Sequence, residues 1–143
     1  MGRTIQLRHC VFAAAALFGA ATPTMAQERS VAAGAYTAEQ ATRGDSVFKT
    51  VCVSCHSPTE FTSVDFKAAW AGKQVFFLFD QLRNNMPQDN PGGLSREEYA
   101  AVVAYILKIQ EFPEGTTALP HTDDELKTIV FPAKGNAAPS KKR

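Results

Sequence analysis

Cys52-Val53-Ser54-Cys55-His56 is the stretch on which the fold turns. Residues three and four apart on a helical turn share a face. Cys52, Cys55 and His56 therefore stand together, two thiols beside an imidazole. The pattern C-x-x-C-H is the attachment signature of a c-type haem. Its spacing has a chemical reason. Each thiol takes up one of two neighbouring vinyl groups as a thioether, and the imidazole reaches the iron. Other uses of the same residues fit less well. A closed zinc site needs four ligands, and beyond residue 26 no second Cys/His pair exists to complete one. A thioredoxin-like pair wants a βαβ context, which the pattern of the chain lacks. A structural disulfide leaves His56 without a role.

Working outward, 143 residues suit one small domain. A net charge of +1 with 20% charged residues gives no nucleic-acid footprint. Arg3 and Arg8 precede a short apolar run from Cys10 to Ala21, and Thr24-Met25-Ala26 offers a small residue for cleavage before Gln27. Residues 1–26 are expected to be a secretory signal peptide. The run is shorter than the roughly 20 residues a membrane span needs, so no stable span is expected once it is removed. Cleavage leaves Cys52 and Cys55 as the cysteines, His56 and His121 as the histidines and Met86 as the one methionine. The charge becomes 13 − 14 = −1. Export places two thiols where they would ordinarily pair, and haem attachment gives them another fate. The expected location is the periplasm.

The remaining chain divides into an arm at 27–36 expected to be flexible, a helical domain at 37–132, and a tail at 133–143 expected to be disordered. Thr37-x-x-Gln40 reads as a capping box that opens a helix with Ala41, Gly44, Val47, Phe48 and Val51 on one stripe. Gly44 costs that helix about 1 kcal/mol relative to Ala; it is either tolerated on the surface or needed at a close crossing. Residues 57–65 read as a loop, 65–70 as a short helical turn. Lys73–Asn84 is a helix whose stripe is Val75, Phe76, Phe79 and Leu82, widened by Phe77 and Leu78. Ser95-x-x-Glu98 caps a helix running to about Gln110, with Tyr99, Val102, Val103, Ile106 and Leu107 buried and Tyr105 beside them. Thr122-x-x-Glu125 caps a last short helix reaching Val130. No alternating strand pattern is present.

A low-spin haem carrier needs a ligand on each face of the iron. Met86 is the only thioether of the processed chain, and Pro87 holds it extended between two helices. It is the expected partner of His56, although a lone Met is more often core filling. His121, in a polar stretch after Pro120, reads better as a surface histidine. A thioether favours Fe(II) and raises the potential. With both axial positions filled, the cofactor carries electrons without binding oxygen or peroxide. Trp70, Lys73 and Arg83 lie between the two ligands and are candidate contacts for the haem propionates. Core packing for Trp70 and solvation for the two cations are the alternatives.

From about Ala38 to Gln110 the chain resembles the class I cytochromes c. The likeness rests on Gly44 and Phe48, Cys52-x-x-Cys55-His56, Met86-Pro87 and Val102-Val103-Ala104-Tyr105-Ile106-Leu107. It implies an all-α fold of about four to five helices around one covalent haem c. It also implies that the first and last helices cross at Gly44, with Phe48 meeting Tyr105. The stretch Met86-Pro87 through Gly92-Gly93-Leu94-Ser95 is similar to small bacterial cytochromes that accompany periplasmic dehydrogenases. The implied function is that of an electron carrier and not an enzyme. It would move single electrons from a dehydrogenase or quinol-oxidising complex to an oxidase or other acceptor. A subunit fixed in a dehydrogenase complex, and a haem sensor or enzyme with an open distal site, are the alternatives. Two departures stand out. Met86 follows His56 by only 30 positions. The family often supplies a proline carbonyl to the His ligand's N–H, and here only Pro58 lies near, leaving that acceptor unassigned. The extension after Gln110 lies outside the resemblance and either wraps the domain or meets a partner.

Overall fold

Five α-helices and two two-residue strands make up the computed structural model, which describes residues 29–133. The expected signal segment at 1–26 and the tail beyond Ala133 lie outside the described residues. The fold is all-α, as expected. Helix α1 spans Ala38–Val47, α2 Val64–Trp70, α3 Val75–Asn85, α4 Arg96–Ile109 and α5 Asp123–Lys127. None of the described helices is long and apolar enough to cross a membrane.

Helix α4 is the axis of the core. Ser95 and Glu98 form a complete capping box at its start. Tyr99 to Leu107 are then buried without a break, because other elements pack on several sides of the helix. One of those elements is α1, and Gly44 sits at the contact. A Cβ on Gly44 would lie 1.8 Å from the Ala101 carbonyl oxygen and 2.9 Å from Tyr105 Cβ. The glycine is therefore needed at the crossing. One turn on, the Phe48 and Tyr105 rings meet with centroids 5.2 Å apart, which bears out the expected pairing.

Helix α3 supplies a second wall. Val75, Leu78 and Phe79 are buried and Phe76 and Leu82 half-buried, which is the spacing of one helical face. Phe77 departs from the expected stripe: it lies a third of a turn away and is 50% exposed. At the end of α3 the Met86 backbone is extended, at φ −130° and ψ 147°, and the Met86–Pro87 peptide is cis.

The segments on either side of the helical core differ most from expectation. Residues 29–36 are not a flexible arm. Val31, Ala35 and Tyr36 are buried, and β1 (Arg29–Ser30) pairs in parallel with β2 (Ile129–Val130). The extension after Gln110 wraps the domain. Leu119, Leu126, Ile129 and Phe131 are buried in it. Gln40 pairs with the Leu119 backbone, its Nε2 donating to the carbonyl at 2.8 Å and its Oε1 accepting from the N–H at 2.7 Å. That commitment leaves the expected Thr37–Gln40 box half formed: Thr37 Oγ1 accepts from the Gln40 N–H at 3.2 Å, but the Gln40 amide goes to Leu119. The expected box at Thr122 does not form either. Its hydroxyl bonds the Glu125 carboxylate and caps no backbone N–H. The last helix is shorter than expected, since the chain turns into β2 after Thr128.

Candidate haem site

Helix α1 does not stop before the motif. Its last turn widens into a π turn over Phe48–Cys52, in which the Val53 N–H donates to the Phe48 carbonyl at 3.0 Å. A tighter turn follows at once. The Cys55 and His56 N–H groups both donate to the Cys52 carbonyl, at 3.1 and 2.9 Å. The shared carbonyl folds the five residues into a single turn and holds Cys52, Cys55 and His56 on it. π turns of this kind frequently mark functional sites. Both cysteines are free thiols, Cys52 half-buried and Cys55 exposed. Burial pushes the Cys52 thiol above its ordinary range, keeping it protonated.

The two nitrogens of His56 have different surroundings. Nδ1 lies 3.1 Å from Glu60 Oε2. Nε2 has no protein partner among the described residues. Glu60 is itself fixed, because its other oxygen accepts from the Ser57 N–H at 2.8 Å. Ser57 caps a 3₁₀ helix at Pro58–Thr62, and Ser57 and Glu60 make a complete capping box. Hydrogen bonds from the Ser57 backbone first, and then from His56, hold the Glu60 carboxyl below the usual carboxylate range. The segment read as a loop is thus a short capped helix, and its Glu60 is the hydrogen-bond partner of His56 Nδ1. The signal for it is Ser57-x-x-Glu60, the same pattern as Ser95-x-x-Glu98.

Aromatic rings back the turn. Phe61 meets His56 at 5.8 Å and Phe48 at 5.6 Å between centroids. Phe66 follows at 5.3 Å and Trp70 beyond it at 5.9 Å. Phe131 of the extension closes on Trp70 at 6.4 Å. Phe61, Phe66, Leu82 and Leu94 are only partly covered by protein.

Met86 is half-buried, and its backbone is held at two points. The Met86 N–H donates to the Leu82 carbonyl at 2.8 Å, and the Met86 carbonyl accepts from the Tyr99 hydroxyl at 2.6 Å. Helix α4 thus positions Met86 through the buried Tyr99. His121 is elsewhere, with Nε2 3.3 Å from Glu97 Oε1 and its side chain 45% exposed. Trp70 and Lys73 are together: Trp70 is buried and the Lys73 ammonium lies 5.3 Å from its ring centre. Arg83 lies in a different neighbourhood, half-buried on an open depression of about 420 Å³ lined also by Asn84, Pro91, Gly92, Leu94 and Arg96.

The donor set fits a haem better than a bare ion. Among the described residues no three His, Cys, Asp or Glu side chains are grouped to hold a metal ion. Two free thiols and one imidazole nitrogen share a turn, and half-covered apolar rings lie beside it. A macrocycle attached through sulfur and ligated by Nε2 uses each of these features.

Residues 39–106 match the family model described as Cytochrome C oxidase, cbb3-type, subunit III. That stretch runs from the first turn of α1, through the C-x-x-C-H motif and Met86, to α4. No curated protein and no solved structure matches the chain.

Proposed function

We propose that the chain is a periplasmic mono-haem electron carrier ligated by His56 and Met86, a reading supported by the match of residues 39–106 to a c-type cytochrome family model. Haem bound at this site supplies one-electron Fe(II)/Fe(III) exchange. Cys52 and Cys55 hold the macrocycle to the turn. His56 offers Nε2 on one side, with its orientation fixed through Nδ1. Met86 offers its thioether from a backbone anchored by Leu82 and Tyr99. Phe61 and Phe66 keep water from the motif side. The observation that carries the reading is the turn that gathers both free thiols and a His56 ring with Nε2 open.

Electrons would arrive from a dehydrogenase or quinol-oxidising complex and leave to an oxidase or another cytochrome. The description of the matched family, an oxidase subunit, supports an oxidase on the acceptor side. The positive segment with Arg3 and Arg8 and the apolar run after Cys10 support export.

Ligand binding tests the proposal. Purified holo-protein is exposed to carbon monoxide when reduced and to cyanide when oxidised. Slow or absent binding is expected, with rapid binding in Met86→Ala. Rapid binding by the wild type would instead mean an open distal site and a sensory or catalytic role. Cell fractionation checks the compartment. Elution as a monomer separates a free carrier from a fixed subunit.

A further inference from the structure

We infer that Glu60 is the positioning residue of the His56 ligand, and that its carboxylate lowers the reduction potential of the site. The inference rests on the assignment of His56 as an iron ligand through Nε2. Three observations lead to it. Glu60 Oε2 is 3.1 Å from Nδ1, the ring nitrogen left over when Nε2 serves as ligand. Glu60 Oε1 is held independently by the Ser57 N–H at 2.8 Å, so the carboxylate does not depend on His56 for its place. The capping box puts both contacts on one short helix that begins directly after the motif.

The consequence is electronic as well as steric. A ligating histidine is oriented by the acceptor of its other N–H, and a carboxylate acceptor raises the basicity of the ring. An imidazole that donates more strongly stabilises Fe(III) over Fe(II). A negative charge held one ring away from the iron acts in the same direction. A backbone carbonyl in the same position would fix the ring but carry no net charge. Glu60 therefore opposes the upward pull of the Met86 thioether. The site's potential is set by the two together, through residues that lie on opposite sides of the chain's aromatic segment in sequence.

The carboxylate also explains why the turn needs two acceptor oxygens. Ser57 N–H and His56 Nδ1–H are separate donors, and a carboxylate satisfies both. A glutamine has one acceptor oxygen and an NH₂ that cannot accept, so it leaves one of the two donors short.

The test compares wild type, Glu60→Gln, Glu60→Asp and Ser57→Ala as holo-proteins at one fixed pH. The low-spin ferric spectrum with its sulfur-to-iron charge-transfer band is recorded first for each. Reduction potentials follow by spectroelectrochemistry. The exchange rate of the axial histidine's Nδ1–H is then measured by NMR on the reduced proteins. Glu60→Gln is expected to shift the ferric/ferrous equilibrium roughly tenfold toward Fe(II), a rise of about 59 mV for one electron, and to speed Nδ1–H exchange. Glu60→Asp, shorter by one methylene but still charged, recovers part of the shift. Ser57→Ala removes the hydroxyl that accepts from Thr59 N–H yet leaves the Ser57 N–H bond to Glu60 intact. It lowers thermal stability and leaves the potential in place. An unchanged potential and exchange rate in Glu60→Gln, with the ligand spectrum intact, overturns the role of Glu60 alone. A wild type lacking a histidine Nδ1–H resonance and a charge-transfer band overturns the ligand assignment and this inference with it. Should Glu60→Gln not accumulate, Glu60→Ala, which removes both the charge and the hydrogen bond, takes its place: a potential equal to wild type with the ligand spectrum intact refutes the electronic role.

Discussion

Replacing Gly44 with Ala pits two effects of known size against each other. In an exposed helix the change stabilises by about 1 kcal/mol, because Ala has the higher helix propensity. Here the added Cβ would sit 1.8 Å from the Ala101 carbonyl oxygen. A tight but tolerable contact is about 3.0 Å, so α1 and α4 must part locally by about 1.2 Å. The atom in the way is backbone, so no rotamer relieves it. Radial gaps of 0.5–1 Å forfeit roughly a quarter to a half of each dispersion contact, and the opened seam includes Ala41, Phe48, Ala104 and Tyr105, all buried. Overpacking of this kind costs about 3 kcal/mol. The net effect is a loss of about 2 kcal/mol, or about 10 °C in midpoint for a domain of this size. Thermal unfolding of the holo-protein, followed by far-UV circular dichroism, is the assay. A midpoint equal to or above wild type would mean that propensity wins and that the helices do not cross at Gly44.

Three other perturbations probe the frame around the site. Tyr99→Phe removes the hydroxyl that donates to the Met86 carbonyl; a loss of about 1–2 kcal/mol follows, together with a weaker ferric charge-transfer band and easier displacement of the thioether by added imidazole. Gln40→Ala strips both hydrogen bonds from Leu119. It is expected to cost about 2 kcal/mol and to expose the chain between Phe112 and His121 to limited proteolysis, read by mass spectrometry. Burial, with Glu114 adding to it, pushes the Tyr36 phenol up to about 12. Its unfolded value is about 10, so the folded state holds the proton longer. The stabilisation is complete below pH 10 and is lost as pH rises toward 12. Denaturant titrations should therefore show the stability gap between wild type and Tyr36→Phe shrinking by about 2 kcal/mol across that interval, and a constant gap would refute the assignment.

What the sequence made legible was local. The C-x-x-C-H turn, the Ser95–Glu98 box and the α3 and α4 stripes are encoded within a few residues of one another, and periodicity exposes them. Gly44 was ambiguous from periodicity, because its reason lies on another helix at Ala101. Glu60 was legible in principle through Ser57-x-x-Glu60. Pro58 near the start of a polar run points to a loop, yet proline also suits the first turn of a helix, and here it does so. The packing of 29–36 and 111–133 was not legible. It rests on partners such as Gln40 and Leu119, 79 residues apart, and on strands of two residues whose pairing supplies what their length cannot. Phe77 departs from the expected stripe because five consecutive apolar residues, Val75 to Phe79, blur which face of a helix is buried.

The parallel pair of Arg29–Ser30 with Ile129–Val130 has a consequence in time. It joins segments 100 residues apart, and closing so long a loop costs about 4 kcal/mol of chain entropy. Contacts of that sequence separation form late. A chain emerging from its amino end completes the Cys52–His56 turn, with its Ser57–Glu60 cap, well before Ile129 exists to meet Arg29. The thiols are therefore presented on a formed turn while the outer belt of the domain is still open. Covalent attachment at Cys52 and Cys55 can thus precede closure of the β1–β2 pair.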